Sequence, residues 1–252
     1  MVLLDGKKTA NDIKDEITIS VKEMIELGEK IPHLAAVLVG SDGASLTYVG
    51  SKVRACERVG FNSTLVELPE TTSEEALLTT IQDLNENNDT DGFIVQLPLP
   101  DQIDTQKVLM AVDPSKDVDG FHPENFGKMA LDMTTFIPAT PFGILELLER
   151  YNVETKGKHT VVIGRSHIVG RPMSILMSQK GPAGNSTVTL THSHTKDLSE
   201  ITKQADIIIV ALGVPEFLKA GMVKDGVVIV DVGISRVPDV SNPRGYVIKG
   251  DV

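Results

Sequence analysis

The run Val161-Val162-Ile163-Gly164-Arg165-Ser166-His167-Ile168-Val169-Gly170-Arg171-Pro172 narrows the possible folds of this chain more than any other segment. A β-branched apolar run enters a glycine turn, and a second glycine, six residues on, opens a helix. That arrangement aims free backbone N–H groups and a helix N-terminus at a phosphate. The spacing departs from G-x-G-x-x-G: Ser166 stands at the middle glycine, and the last interval is one residue longer. A glycine turn alone is weak evidence, because many strand-to-helix turns need glycine only for a positive φ. The strands that follow it carry the argument further.

Ser186-Thr187-Val188-Thr189-Leu190-Thr191 reads as the next strand, ending at His192-Ser193-His194. An NAD site places an acidic residue at such a tip to hold the ribose 2′-hydroxyl. Here there is none, whereas Arg165 and Ser193 suit a 2′-phosphate, so NADP is expected over NAD. His192 and His194, in an extended segment, would share one face. No nearby Cys, Asp or Glu completes a metal set, and no metal is expected. Asp206–Ala211 and Gly226–Asp231 are nearly unbroken Ile/Val runs, as strands covered on both faces require. Glycines at their ends, in Leu212-Gly213 and Val232-Gly233-Ile234, allow a cofactor close to the backbone. A short helical piece is expected from Glu216 to Met222. This half reads as a Rossmann-type α/β domain with a parallel sheet.

The first half has the same rhythm. Thr9 is a plausible N-cap for a helix with Ile13, Ile17, Met24 and Ile25 at helical spacing, stopped by Gly28. A strand over 34–39, a turn at Ser41-Asp42-Gly43 and a helix to Val59, with Gly60 as its stop, follow. A strand over 63–67, a helix over 73–84 and a strand over 93–96 complete the alternation, which implies a second parallel sheet. Thr140 is expected to cap a helix whose first position is Pro141. The division is therefore an N-terminal α/β domain over 1–140 and the nucleotide domain over 141–252.

Composition bounds the partners. The 35 acidic residues outnumber the 24 basic ones, and the net charge of −11 disfavours nucleic acid or an anionic membrane. A single Cys56 excludes an internal disulfide and suits a reducing compartment. No apolar run approaches the ~18 residues of a membrane span, and the N-terminus lacks a signal-peptide core. A cytoplasmic protein is expected.

Reactive side chains fall at the carboxyl ends of the first-half strands, where an α/β fold places its sites. Tyr48 and Lys52 are four residues apart, on one helix face. Gln96 ends a strand, and Asp117-Val118-Asp119-Gly120 sets two carboxylates around a glycine turn. Each has an ordinary reading: a solvated lysine, a boundary tyrosine, a strand-capping glutamine, an Asx turn. Cys56 reads as a small buried hydrophobe.

As a set, these segments resemble a known family. Val39-Gly40-Ser41-Asp42-Gly43-Ala44-Ser45 with Tyr48-Val49-Gly50-Ser51-Lys52 is similar to the first signature of the bifunctional methylenetetrahydrofolate dehydrogenase/cyclohydrolases. Asp91-Gly92-Phe93-Ile94-Val95-Gln96-Leu97-Pro98-Leu99-Pro100 resembles the second. Lys116-Asp117-Val118-Asp119-Gly120-Phe121-His122-Pro123, Pro138-Ala139-Thr140-Pro141 and the glycine turn extend the likeness in order along essentially the whole chain.

The resemblance implies NADP-dependent oxidation of 5,10-methylenetetrahydrofolate to the methenyl cation, then hydrolysis to 10-formyltetrahydrofolate. It implies Lys52 as the catalytic lysine, Gln96 as its orienting neighbour, Tyr48 as the ring that stacks on folate and Asp119 as the carboxylate that holds the pterin. Leu97 joins Tyr48, Gln96 and Asp119 against the substrate. Gly164, Arg165, Ser166, Ser193 and Ile234 match NADP positions. A homodimer acting on tetrahydrofolate derivatives is also implied. The family pattern continues past Val252 with a proline- and glycine-rich segment and a helix returning to the first domain. A truncated, weakly active or non-catalytic NADP-binding form is thus the alternative expectation, and a different Rossmann-type dehydrogenase is the other.

Overall fold

In each of the two parallel sheets the first strand is an inner one, because a strand paired on both edges and covered on both faces satisfies an unbroken apolar run. The computed structural model describes residues 2–40, 43–242 and 245–252 and, of Ala44, the backbone alone. Ser41 and Asp42 of the expected turn lie outside the described residues. The chain divides into two units, Met1–Met129 with Thr134–Ile137 and Ala130–Met133 with Pro138–Val252.

The first unit runs α1 (Gly6–Leu27), β1 (His33–Val39), α2 (Gly43–Val59), β2 (Asn62–Leu68), α3 (Glu74–Glu86), β3 (Gly92–Val95), α4 (Thr105–Ala111) and α5 (Pro123–Ala130). Its sheet is parallel in the order β2-β1-β3. Side chains of β1 alternate: Ala35, Val37 and Val39 pack with Leu77, Ile81, Phe93 and Val108, while Ala36 and Leu38 pack with Val49 and Ile94. Helix α1 starts earlier than expected. Asp5, not Thr9, is its N-cap, accepting the Lys8 N–H at 2.9 Å. Thr9 is buried, and its hydroxyl donates to the Asp5 carbonyl at 3.0 Å. Gly28 ends the helix at φ 70°, in the left-handed region where glycine carries no Cβ penalty.

The second unit contains α6 (Ala139–Arg150), β4 (His159–Ile163), α7 (Gly170–Ser178), β5 (Thr187–Thr191), α8 (Leu198–Thr202), β6 (Ile207–Val210) and β7 (Val228–Asp231). The sheet is parallel, ordered β5-β4-β6-β7. Its two faces bury separate clusters, Val162, Ile207 and Ile209 with Leu148 and Met173, and Val161, Ile163, Ile208 and Val210 with Leu218. Two expectations are corrected. Helix α6 begins at Ala139, so Thr140 lies inside it and makes no cap; Pro141 is tolerated at the third position because first-turn N–H groups have no helical partner. The piece between β6 and β7 is only a 3₁₀ turn over Ala220–Met222. An antiparallel hairpin, β8 (Ser235–Pro238) with β9 (Tyr246–Lys249), follows the sheet and was not foreseen.

In both sheets the chain leaves the first strand for one side and later returns on the other. The carboxyl ends of β1 and β4 are therefore the topological switch points, where α/β folds bind ligands. After β4, Gly164 has φ 116°, and a Cβ there would collide with the Ala211 carbonyl. A Cβ on Gly170 would collide with the Gly164 carbonyl. Gly143, within α6, has nothing within 4 Å. Gly170→Ala is accordingly expected to destabilise the protein by more than about 2 kcal/mol. Gly143→Ala should stabilise it by about 0.5–1 kcal/mol, the helix-propensity difference. Chemical denaturation of the two variants checks the contrast.

Candidate active site

Helix α2 leaves the switch point of the first sheet carrying Tyr48 and, one turn later, Lys52. Val49 between them is buried against β1, which fixes the helix rotation. Tyr48 is half exposed, offering its ring to solvent. The Lys52 Nζ lies 3.8 Å from an Asp119 carboxylate oxygen, and both side chains are largely withdrawn from water. Burial pushes the Lys52 amine below its ordinary range, and the Asp119 charge opposes this. Burial pushes the Asp119 carboxyl up, against the attraction of Lys52 and with help from the negative charge of Asp117. Desolvation prevails at both ends, so each partner is shifted toward its neutral form.

The structure gives a physical reason to separate the two aspartates. Asp117 is buried, and its Oδ2 accepts the His122 N–H at 2.8 Å and an Asn125 Nδ2–H at 2.9 Å. Asn125 in turn accepts from the Thr135 hydroxyl at 2.7 Å. Asp117 is thus occupied in holding the turn, while Asp119 faces the lysine. His122 and Asn125 were missed in the sequence, where nothing local marks the asparagine as buried against Asp117.

Gln96 follows β3 directly, with its backbone N–H donated to the Val37 carbonyl at 2.9 Å. Its amide nitrogen donates to the Leu97 carbonyl at 2.7 Å, leaving Oε1 buried without a hydrogen-bond partner. That acceptor is free for a donor from substrate or from a neighbouring side chain. Leu97 itself is partly buried, and the Leu97–Pro98 peptide is cis.

In the second unit the glycine turn is organised by Ser166, whose Oγ accepts the Val169 N–H at 3.1 Å and the Gly170 N–H at 3.3 Å. Arg165, Ser166 and Ser193 are exposed, as is Ile234 after β7. Desolvation lowers the His192 imidazole, and the charges of Arg165 and His194 add to this. The guanidinium of Arg165 is therefore near enough to the tip of β5 for its charge to act there. His192 and His194 do not share a face of an extended segment. They stand edge-to-face in a turn, centroids 6.1 Å apart, with the His192 Nδ1 accepting the His194 N–H. At Gly164 and Gly170 the space a Cβ would take is filled by the Ala211 and Gly164 carbonyls, so these glycines fix the close packing of the turn.

The tetrahydrofolate dehydrogenase/cyclohydrolase catalytic-domain model matches residues 4–119, and the NAD(P)-binding-domain model of the same family matches residues 138–252. The chain belongs to the tetrahydrofolate dehydrogenase/cyclohydrolase family. It is 79% identical over 252 residues to the bifunctional protein FolD of Flavobacterium psychrophilum, covering 100% of this chain and 86% of that one. The FolD crystal structure from Campylobacter jejuni is 44% identical with a TM-score of 0.92, covering 100% and 86% of the two chains. The Trypanosoma brucei dehydrogenase-cyclohydrolase, solved with NADP cofactor and an inhibitor, is 34% identical with a TM-score of 0.92, over 100% and 85%. Nothing in these likenesses favours the truncated, non-catalytic alternative.

In this family member the coupling of Lys52 and Asp119 has a measurable sign. Asp119→Asn removes the attraction that holds the lysine proton, while burial remains. The Lys52 titration is expected to move to still lower pH in Asp119→Asn. Nitrogen-15 NMR of labelled lysine checks this, and an unchanged or raised titration would show that the two groups are not coupled.

Proposed function

We propose that the chain oxidises 5,10-methylenetetrahydrofolate to the 5,10-methenyl cation with NADP, then hydrolyses the cation to 10-formyltetrahydrofolate at the Lys52 site. The observation that carries the reading is a desolvated lysine 3.8 Å from a buried-side carboxylate at the sheet's switch point. NADP, when bound, accepts the hydride released from the methylene carbon. No protein nucleophile is required for that step, and the chain's part is to position the reactants. Gly164 and Gly170 let the turn after β4 pack closely on its own backbone, Ser166 shapes it, and Arg165 with Ser193 would supply donors for a 2′-phosphate. Ile234 offers an apolar surface at the end of β7.

Hydrolysis uses the first unit. Water adds to the cationic carbon, the bond to one folate nitrogen breaks as the formyl C=O forms, and of water's two protons one ends on that nitrogen while the other, released on attack, passes to solvent. A lysine shifted toward the free amine can take up that proton at Nζ as water attacks. A cationic substrate disfavours Lys52 protonation further and favours ionised Asp119, which can then accept N–H bonds from the aminopyrimidinone edge. The unpartnered Gln96 Oε1 supports a role in receiving a lysine N–H, and the exposed Tyr48 ring supports stacking on the substrate. The division into a folate domain over 1–140 and an NADP domain over 141–252, and a cytoplasmic homodimer with no nucleic-acid or membrane partner, rest on the family likeness and on charge. No helix among the described residues is long and apolar enough to cross a membrane.

Lys52→Met keeps the aliphatic stem but not the amine. Hydrolysis of the methenyl cation should fall by about 10²- to 10⁴-fold, the range for a lost general acid–base group, with folate affinity largely kept. Loss of absorbance of the cation measures the rate, and wild-type hydrolysis would remove Lys52 from the mechanism.

The cofactor choice is tested at Arg165. A hydrogen bond to a charged group contributes about 1.5–3 kcal/mol, so Arg165→Ala should weaken NADP by about 10- to 150-fold. NAD, lacking the 2′-phosphate, should be nearly unaffected. Comparison of kcat/KM for both cofactors decides it; equal losses would show that Arg165 does not read the phosphate.

A further inference from the structure

Asp251 stands outside every role described above, yet it is fully buried. Its Oδ2 accepts two backbone N–H bonds, from Leu212 at 2.7 Å and from Gly213 at 3.0 Å. Its Oδ1 has no hydrogen-bond partner and lies against Gly233, where any Cβ would collide with the carboxyl group. The backbone around it is tied down as well. The Asp251 N–H donates to Asp231 at 2.9 Å, and its carbonyl accepts the Leu218 N–H at 2.8 Å. The Gly250 carbonyl accepts the Glu216 N–H at 2.9 Å, and a Cβ on Gly250 would strike the Asp231 carboxylate.

Burying a carboxylate is costly unless it is well bonded. The sheet does not need this one, since β6 and β7 are already paired along their length. What it holds are two turns at the carboxyl end of the sheet. Leu212 and Gly213 follow Ala211, whose carbonyl packs against Gly164 of the glycine turn. Gly233 precedes Ile234, which the reading above places at the dinucleotide. Ser235 closes the group by donating its hydroxyl to the Gly213 carbonyl at 3.2 Å.

We infer that Asp251 is a positioning residue for the dinucleotide site: its carboxylate sets the spacing of the turns after β6 and β7, and through Ala211 the seat of Gly164. The inference rests on the NADP reading of that site. It assigns Asp251 no contact with substrate or cofactor and no part in hydrolysis, whose residues lie in the first unit.

The test is steady-state kinetics of both reactions with wild type, Asp251→Ala and Asp251→Asn, together with calorimetric NADP binding. Hydrolysis of the methenyl cation consumes only water and is assayed without dinucleotide, so it reports an intact Lys52 site. Asp251→Ala should raise Kd and KM for NADP about tenfold or more, the size of a lost hydrogen bond to a charged group, with hydrolysis within about twofold of wild type. Asp251→Asn keeps an oxygen able to accept the Leu212 and Gly213 N–H bonds and should recover part of the affinity. Parallel loss of both activities in the two variants would overturn the inference, because Asp251 would then only hold the fold. Unchanged NADP affinity in folded Asp251→Ala overturns it too, and if that variant does not fold, unchanged affinity in Asp251→Asn does so. Failure of the wild type to bind NADP would instead remove the underlying reading, before any variant is compared.

Discussion

The structure depends on the double pairing of β1 and β4. Each is hydrogen-bonded to a parallel neighbour on both edges and packed on both faces, so neither can slip in register without exposing its core side chains. This fixes where the two strands end. From those ends come the helix carrying Tyr48 and Lys52 and the turn formed by Gly164. Loops could not hold such groups to the tolerance that catalysis needs unless the strands beneath them were rigid. The close backbone approach of Gly170 to Gly164, and of Gly164 to Ala211, extends that rigidity into the turn after β4.

At Lys52 and Asp119 two effects of comparable size compete. Unit charges about 4 Å apart attract by about 1 kcal/mol in water and about 4 kcal/mol at an effective dielectric of 20. The directions of both shifts show that desolvation exceeds the attraction here. A pair drawn toward neutrality is well matched to a cationic substrate. Arrival of positive charge disfavours the ammonium and favours the carboxylate, so the substrate itself would set the amine free and the acid ionised. A fully solvated ion pair would respond much less, because water screens the incoming charge.

Much of this was legible in the sequence, and the exceptions have physical causes. The Ile/Val runs at 161–163 and 207–210 gave strands because no other element buries such residues on two faces. Tyr48 and Lys52 were legible as a helix-face pair. The partnership of Lys52 with Asp119 was not, because nothing local joins residues brought together only by β1 and β3 pairing. Asp117 and Asp119 looked alike in sequence; the hydrogen bonds from His122 and Asn125 distinguish them. Thr9 and Thr140 failed as caps because several residues near a helix start can serve, and the choice depends on packing of the first turn. The hairpin of β8 and β9 escaped notice because four-residue strands, one ending in Pro238, carry too little alternation to register. Asp251 had no signature at all, since a carboxylate that bonds backbone N–H groups has no partner side chain to betray it.

The two reactions make different demands. Hydride transfer needs a bound dinucleotide and precise placement but no acid or base from the protein. Hydrolysis needs a base of lowered proton affinity but no dinucleotide. On the proposed function, the methenyl cation is the one species common to both steps, and its positive charge would shift Lys52 further toward the free amine.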